Sequence, residues 1–230
     1  MKRKLYLYGG LTDNFKTTLE PFVVSSGGKD AKIVVLLQGS EGWEKYIDGY
    51  KKPIETYGVK NISFIVPEKN SLKISDENLE RIKESTGIFI GGGNTSLYID
   101  IYCYEKVGTI IKDKYYDGCP YAGLSAGAIL TVEEFCNEKY HANKSYQAYG
   151  LLKEILIVPH FIERNGFKEL NDQFDKFSYN KAFGINEDIC IEVIDEKICK
   201  VFGKSEAYFI SKVENMINLK KYSPNDEFEI

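Results

Sequence analysis

Ser125 stands in YAGLSAGAIL (121–130), with Gly123 two residues before it and Gly127 two residues after it. The stretch GLSAG fits G-x-S-x-G, a strand-to-helix turn that holds a nucleophilic serine in a strained backbone conformation. Such a turn needs small neighbours, and Gly123, Ala126 and Gly127 meet that need. It also sets the Ala126 N–H at a helix N-terminus beside the hydroxyl, where it can donate to a developing oxyanion. The plain alternative is a capping serine, a role this residue often fills.

A serine hydroxyl needs a base before it attacks an acyl carbon. The chain has 2 histidines, His141 and His160. His160 follows the apolar run LIVP and so sits at a strand end, whereas His141 lies in the polar stretch KYHANKSYQ. His160 is therefore the expected base. A third group, a carboxylate, must orient the imidazole and stabilise its charge. Between Ser125 and His160 there is no aspartate, only Glu133, Glu134, Glu138 and Glu154. Glu154 opens the strand that ends at His160, which puts it at the far end of the sheet. Glu138, in FCNEKY, lies in a loop able to fold back over the site and is the first choice. Glu187, in GINED, and Glu163, three residues past His160, stand behind it.

GGGNTS (91–96) adds a third piece, since consecutive glycines let backbone approach a ligand closely. The stretch lacks the lysine of GxxxxGK[ST] and the spacing of GxGxxG, so it matches a nucleotide phosphate poorly. It reads better as an oxyanion hole, with Gly92 or Gly93 giving a second N–H. Asn94 and Thr95 then face the substrate, and either can cap the following helix.

Elements of both periods must position these residues. Apolar runs suited to strands are LYLYGG (5–10), KIVVLLQG (32–39), ISFIVP (62–67), GIFIGGG (87–93) and EILIVPH (154–160). ICIEVI (189–194) and KICKVFG (197–203) form a hairpin, and AYFISK (207–212) is the last expected strand. Helical patterns cover 41–57, 75–86 behind a Ser75 or Asp76 cap, a segment from about Thr95, and NGFKELNDQFDKFSYN. Strands alternating with helices imply βαβ units and a mostly parallel sheet. The expected fold is a single α/β domain over residues 1–230. It has a doubly wound, mostly parallel sheet flanked by helices, extended by a C-terminal antiparallel hairpin. GGGNT, GLSAG and VPH each end a strand, so they converge on the carboxyl edge, where sites form in open α/β sheets.

Bulk properties narrow the partners. The 230 residues are 43% hydrophobic and 28% charged, and the formal net charge is −4. That balance argues against a nucleic-acid binder dominated by phosphate contacts. The 5 cysteines are odd in number and none are spaced CxxC, which points to reduced thiols and a cytoplasmic protein. MKRKLYLYGG lacks the apolar core and cleavage site of a signal peptide, and no run is long enough to span a bilayer.

GIFIGGGNTSLY (87–98), YAGLSAGAIL, VPHF (158–161) and, more loosely, GINEDICIEV (184–193) together resemble peptidase family S51, the dipeptidase E and cyanophycinase group. The resemblance implies a flavodoxin-like, class I glutamine amidotransferase-like fold and serine peptidase chemistry. Ser125 is then the nucleophile, His160 the base, and the N–H groups of Gly92, Gly93 and Ala126 the oxyanion donors. It implies no metal and no organic cofactor, a small peptide as partner, and a monomer or homodimer. The dipeptidase E branch cleaves dipeptides with an N-terminal aspartate, and cyanophycinases cleave β-aspartyl-arginine polymer. The GGGNT form is nearer the first than the GGGDQ form of the second. The dipeptidase branch also has an aspartate between serine and histidine. FCNEK matches that loop with two residues deleted, which points to Glu138, and a glutamate there resembles the cyanophycinase branch. Arg164, four residues past His160, is placed to pair with a substrate carboxylate. A glutaminase on the same fold would carry cysteine at the elbow and His-x-Glu, not Ser125 and His160-Phe161-Ile162-Glu163. An α/β-hydrolase esterase would want an HGG-type loop before the elbow. The rival outside enzymology is a ligand-binding protein on the same scaffold.

Overall fold

The computed structural model describes residues 1–13, 15–136, 145–177, 179–214 and 216–230. Runs rich in Val, Ile, Leu, Phe and Tyr form the strands, because such side chains fit a pleated, half-buried surface. In chain order these begin β1 (Lys4–Tyr8), β2 (Lys32–Leu36), β3 (Asn61–Ile65), β4 (Gly87–Ile90), β5 (Tyr121–Leu124), β6 (Glu134–Cys136) and β7 (Ser145–Gln147). They continue as β8 (Ile155–Pro159), β9 (Lys181–Ile185), β10 (Ile189–Ile194), β11 (Ile198–Gly203), β12 (Ala207–Val213), β13 (Met216–Tyr222) and β14 (Glu227–Glu229).

Among the described residues the largest sheet has 8 strands in the order β14-β11-β10-β1-β5-β4-β2-β3. From β1 to β3 every pairing is parallel. The chain winds from β2 out to β3, then back across β2 to β4 and β5, which is the doubly wound pattern. β10, β11 and β14 extend the sheet antiparallel, as the hairpin pattern predicts.

Helices cover both faces, and the strand period sorts the side chains between them. Along β1, Leu5 and Leu7 join one core, with Leu79, Tyr102 and Ile111 from helices. Tyr6 and Tyr8 join the other, with Phe22, Tyr50 and Ile54. Ser75 caps the helix Asp76–Glu84 by accepting the Asn78 N–H at 3.3 Å. The helix opening at Thr95 breaks after Tyr102 and restarts at Glu105.

From its apolar runs the sequence predicts β8 beside the other strands and β12 as the last. The structure instead sets β8 in a second sheet, ordered β13-β12-β9-β8, with β8 and β9 parallel. β8 straddles two cores: Ile155 and Ile157 face the larger sheet, while Leu156 and Val158 face Phe161, Leu170 and Phe174. β9, β13 and β14 carry weak sequence signals. KAFGI has a glycine inside it, and MINLKKY is largely exposed. Among the described residues no helix is long and apolar enough to cross a membrane.

Candidate active site

Ser125 joins β5 to the short helix Ala126–Ile129 with φ 49° and ψ −105°. A non-glycine residue in that region stores strain, and the surroundings must hold it there. Its N–H donates to the Tyr8 carbonyl at 2.8 Å, which ties the turn to the end of β1. The small neighbours are a steric requirement. A Cβ on Gly123 would lie 2.3 Å from the Gly127 carbonyl oxygen, and one on Gly127 would lie 2.2 Å from that of Ile90.

His160 follows β8 directly, with φ 52°. Its Nε2 lies 2.9 Å from Ser125 Oγ, and its Nδ1 lies 2.6 Å from Glu187 Oε1. Strand register explains the second contact. Pro159 is level with Ile185, so the residues just past β8 and β9 sit side by side. Glu187 rides on the link from β9, in the second sheet, to β10, in the first. That link fits beside β1 only because LYLY ends in two glycines. A Cβ on Gly9 would lie 2.1 Å from the Asn186 carbonyl oxygen, and one on Gly10 would lie 2.6 Å from Glu187 Cγ. The two loops brace each other: the Glu187 N–H donates to Glu163 at 3.2 Å, and the Ile162 N–H donates to Asn186 Oδ1 at 3.2 Å.

His160 is 8% exposed. Burial pushes its pKa below the ordinary imidazole value, and the bond to Glu187 opposes that. The Arg164 charge lowers it further, while the charges of Glu187 and Glu163 raise it. A neutral ring that gives its Nδ1 proton to a carboxylate presents a bare Nε2 to the serine hydroxyl.

The glycine loop past β4 lies against the serine: a Cβ on Gly92 would be 3.5 Å from Ser125 Cβ. Three side chains fix its backbone. The Gly92 N–H donates to the Tyr50 hydroxyl at 3.3 Å, and the Tyr98 hydroxyl donates to the Gly92 carbonyl at 3.3 Å. Gln38 grips Asn94 from both sides, accepting its N–H at 3.2 Å and donating to its carbonyl. Gly93 has φ 155°, and a Cβ there would meet the Gln38 amide oxygen. The Gly92 N–H is thus taken by Tyr50. The N–H groups of Gly93 and Ala126 have no partner among the described residues. If that pair holds the oxyanion, Gln38→Ala lowers kcat about 10- to 100-fold with little change in KM, because a loop shift of about 1 Å can cost that much. Steady-state kinetics on the variant checks it.

Other expectations fare differently. Asn94 is exposed, and its Oδ1 accepts the Leu97 N–H at 3.2 Å, so its side-chain carbonyl caps the helix that opens at Thr95. Thr95 is 7% exposed and sits in the first turn of that helix. Arg164 is exposed and near enough for its charge to act on His160. Glu133 accepts the Glu154 N–H and pairs with Lys153, and Glu134 bonds Ser145 and Gln147, so neither turns to His160. Glu138 and His141 lie outside the described residues. The carboxylate against His160 is Glu187. Gln38, Tyr50 and Tyr98 were not anticipated; the one available signal was a polar Gln38 ending the apolar run KIVVLLQG. Among the described residues no group of three or more His, Cys, Asp or Glu is placed to hold a metal.

Peptidase E from Shewanella denitrificans is 34% identical over 64 residues, covering 28% of this chain and 27% of that protein. A cyanophycinase from Geminocystis herdmanii is 22% identical over 218 residues, covering 89% of this chain and 79% of its own. The crystal structure of a peptidase from an acI-B1 actinobacterium superposes with a TM-score of 0.77 at 17% identity, covering 100% of this chain and 98% of that one. At that identity the likeness speaks for the fold. The sequence model of peptidase family S51 matches residues 10–201, a span that includes the glycine loop, Ser125, His160 and Glu187. The chain belongs to peptidase family S51.

Proposed function

We propose that this protein is a serine peptidase that hydrolyses small peptides through an acyl-enzyme, with Ser125, His160 and Glu187 as its working groups. The observation that carries the reading is the continuous contact from Ser125 Oγ to His160 Nε2 and from Nδ1 to Glu187. His160 takes the hydroxyl proton as Ser125 Oγ attacks the scissile carbonyl. The Gly93 and Ala126 N–H groups receive the oxyanion. His160 returns the proton to the leaving amine, and the C–N bond breaks. Water then enters, gives its proton to His160 and cleaves the ester, and Ser125 regains its proton. Glu187 keeps the Nδ1 proton in place and stabilises the imidazolium.

Dipeptides with an N-terminal aspartate are the first substrate choice, with Arg164 available for the aspartyl carboxylate. A cyanophycinase-like β-aspartyl peptidase is the second reading. It is favoured by the glutamate at His160 and by the length of the cyanophycinase match, 218 residues against 64. A panel of Asp-Leu, Asn-Leu, β-Asp-Arg and Ala-Leu separates them. Cleavage of Asp-Leu supports the first and of β-Asp-Arg the second, while inertness toward all four with wild type and Ser125→Ala overturns both.

The pH profile offers a further check. Rate falls as His160 gains a proton, so the acid limb of kcat/KM follows its pKa and lies below the usual value of about 6.5. Arg164→Gln removes a lowering influence and moves the limb up. A limb that stays put would separate Arg164 from the site.

A further inference from the structure

β3 ends the larger sheet, and among the described residues it pairs with β2 alone. The Ile65 carbonyl turns inward and accepts the Leu37 N–H at 2.9 Å. Backbone groups alternate in direction along a strand. Asn61, Ser63 and Ile65 therefore face β2, while Ile62 and Phe64 turn their N–H and C=O groups out to the edge. Such a row of unpaired donors and acceptors is a template for another strand.

Proteins blunt exposed edges with charge, and the other edges here are guarded. β13 carries Lys220 and Lys221, β14 carries Glu227 and Glu229, and β8 is buried along its length. β3, NISFI, has neither a charged residue nor a proline. Ile62, Phe64 and Val66 are half-buried against the core that holds Tyr6 and Tyr8. Part of each apolar side chain thus stays open at the edge.

The register says what fits there. Antiparallel strands exchange both hydrogen bonds between residues that point at each other. Two copies of this edge therefore pair even-numbered residues with even-numbered ones. Turning β3 about Ser63 sets Ile62 against Phe64 of the second copy and overlaps all of Asn61–Ile65. Ser63 meets Ser63, and no charge faces a like charge. Just outside the ladder, Lys60 comes opposite Val66 of the second copy, near its Glu68. Among the described residues neither Lys60 nor Glu68 has an ion-pair partner.

We propose that two copies of this chain pair antiparallel through β3, joining their larger sheets into one across a two-fold axis at Ser63. β4 and β2 lie between β3 and β5, the strand that leads to Ser125, so both candidate sites stay clear of the interface. The inference is independent of the peptidase reading.

Sedimentation of the full chain over a concentration series tests it. The expected result is a monomer–dimer equilibrium with a dissociation constant on the order of 10 µM, as suits a small interface. Ser63→Glu and Ser63→Lys each set like charges face to face and are expected to weaken pairing about 10-fold or more, while a mixture of the two restores the dimer. Thermal melts check that both variants fold. Residues opposite each other in a non-hydrogen-bonded pair lie about 4.5 Å apart at Cα, within disulfide reach. Ser63→Cys is therefore expected to give a disulfide-linked dimer on mild oxidation, above the wild-type background. Asn61→Cys, whose counterpart in the second copy lies opposite Ile65, is not. A chain that stays monomeric throughout, leaving the edge to a partner of another kind, overturns the inference. So does a dimer indifferent to both charges, or one that Asn61→Cys links as readily as Ser63→Cys.

Discussion

Replacing Ser125 with alanine is expected to lower peptide hydrolysis by about 10⁴-fold or more, because no other group takes over once the nucleophile is gone. The fold should be unaffected. Alanine is smaller than serine, and the anchoring bond from residue 125 to Tyr8 is made by the backbone. Matching circular dichroism and thermal melts, with hydrolysis at background, is the predicted result. Retained hydrolysis would mean that Ser125 only shapes the turn, and the ligand-binding reading would take its place.

The second large effect concerns the carboxylate. Glu187→Gln preserves size but lets the amide offer a hydrogen where His160 needs an acceptor, so the ring turns to the wrong tautomer. In triads of this kind that change costs about 10⁴-fold in kcat. It also removes two influences that raise the His160 pKa, so residual activity should show its acid limb at still lower pH. Glu138→Gln run beside it should stay within a few-fold of wild type. A loss carried by Glu138→Gln and not by Glu187→Gln would restore the glutamate between serine and histidine as the orienting group.

Ser125 and His160 were legible because each is marked locally. One lies among small residues that a tight turn requires, and the other ends an apolar run in a chain with 2 histidines. Glu187 ranked only behind Glu138, because its contact depends on the parallel register of β8 with β9. KAFGI hides that strand: Gly184 interrupts its apolar pattern to make room for the Phe161 ring, whose atoms would lie 2.7 Å from a Cβ there. Nor does a five-residue apolar run say which sheet it joins. Alternation places side chains above and below a strand and is blind to the strand's neighbours. The helices at 76–84 and 166–176 were plain from periodicity, while the Gln38 grip on Asn94 is a side-chain contact that no pattern announces.

The serine hangs from the larger sheet, the histidine from a strand end of the smaller one, and Glu187 from the link that joins the two. The relay is therefore a gauge of how the two layers are docked. A slip of about 1 Å between them is enough to part Nε2 from Oγ and cost roughly 10²-fold in rate, while every strand keeps its own ladder. On the proposed peptidase reading, loosening that seam is expected to lower hydrolysis while each sheet keeps its own strand pairing.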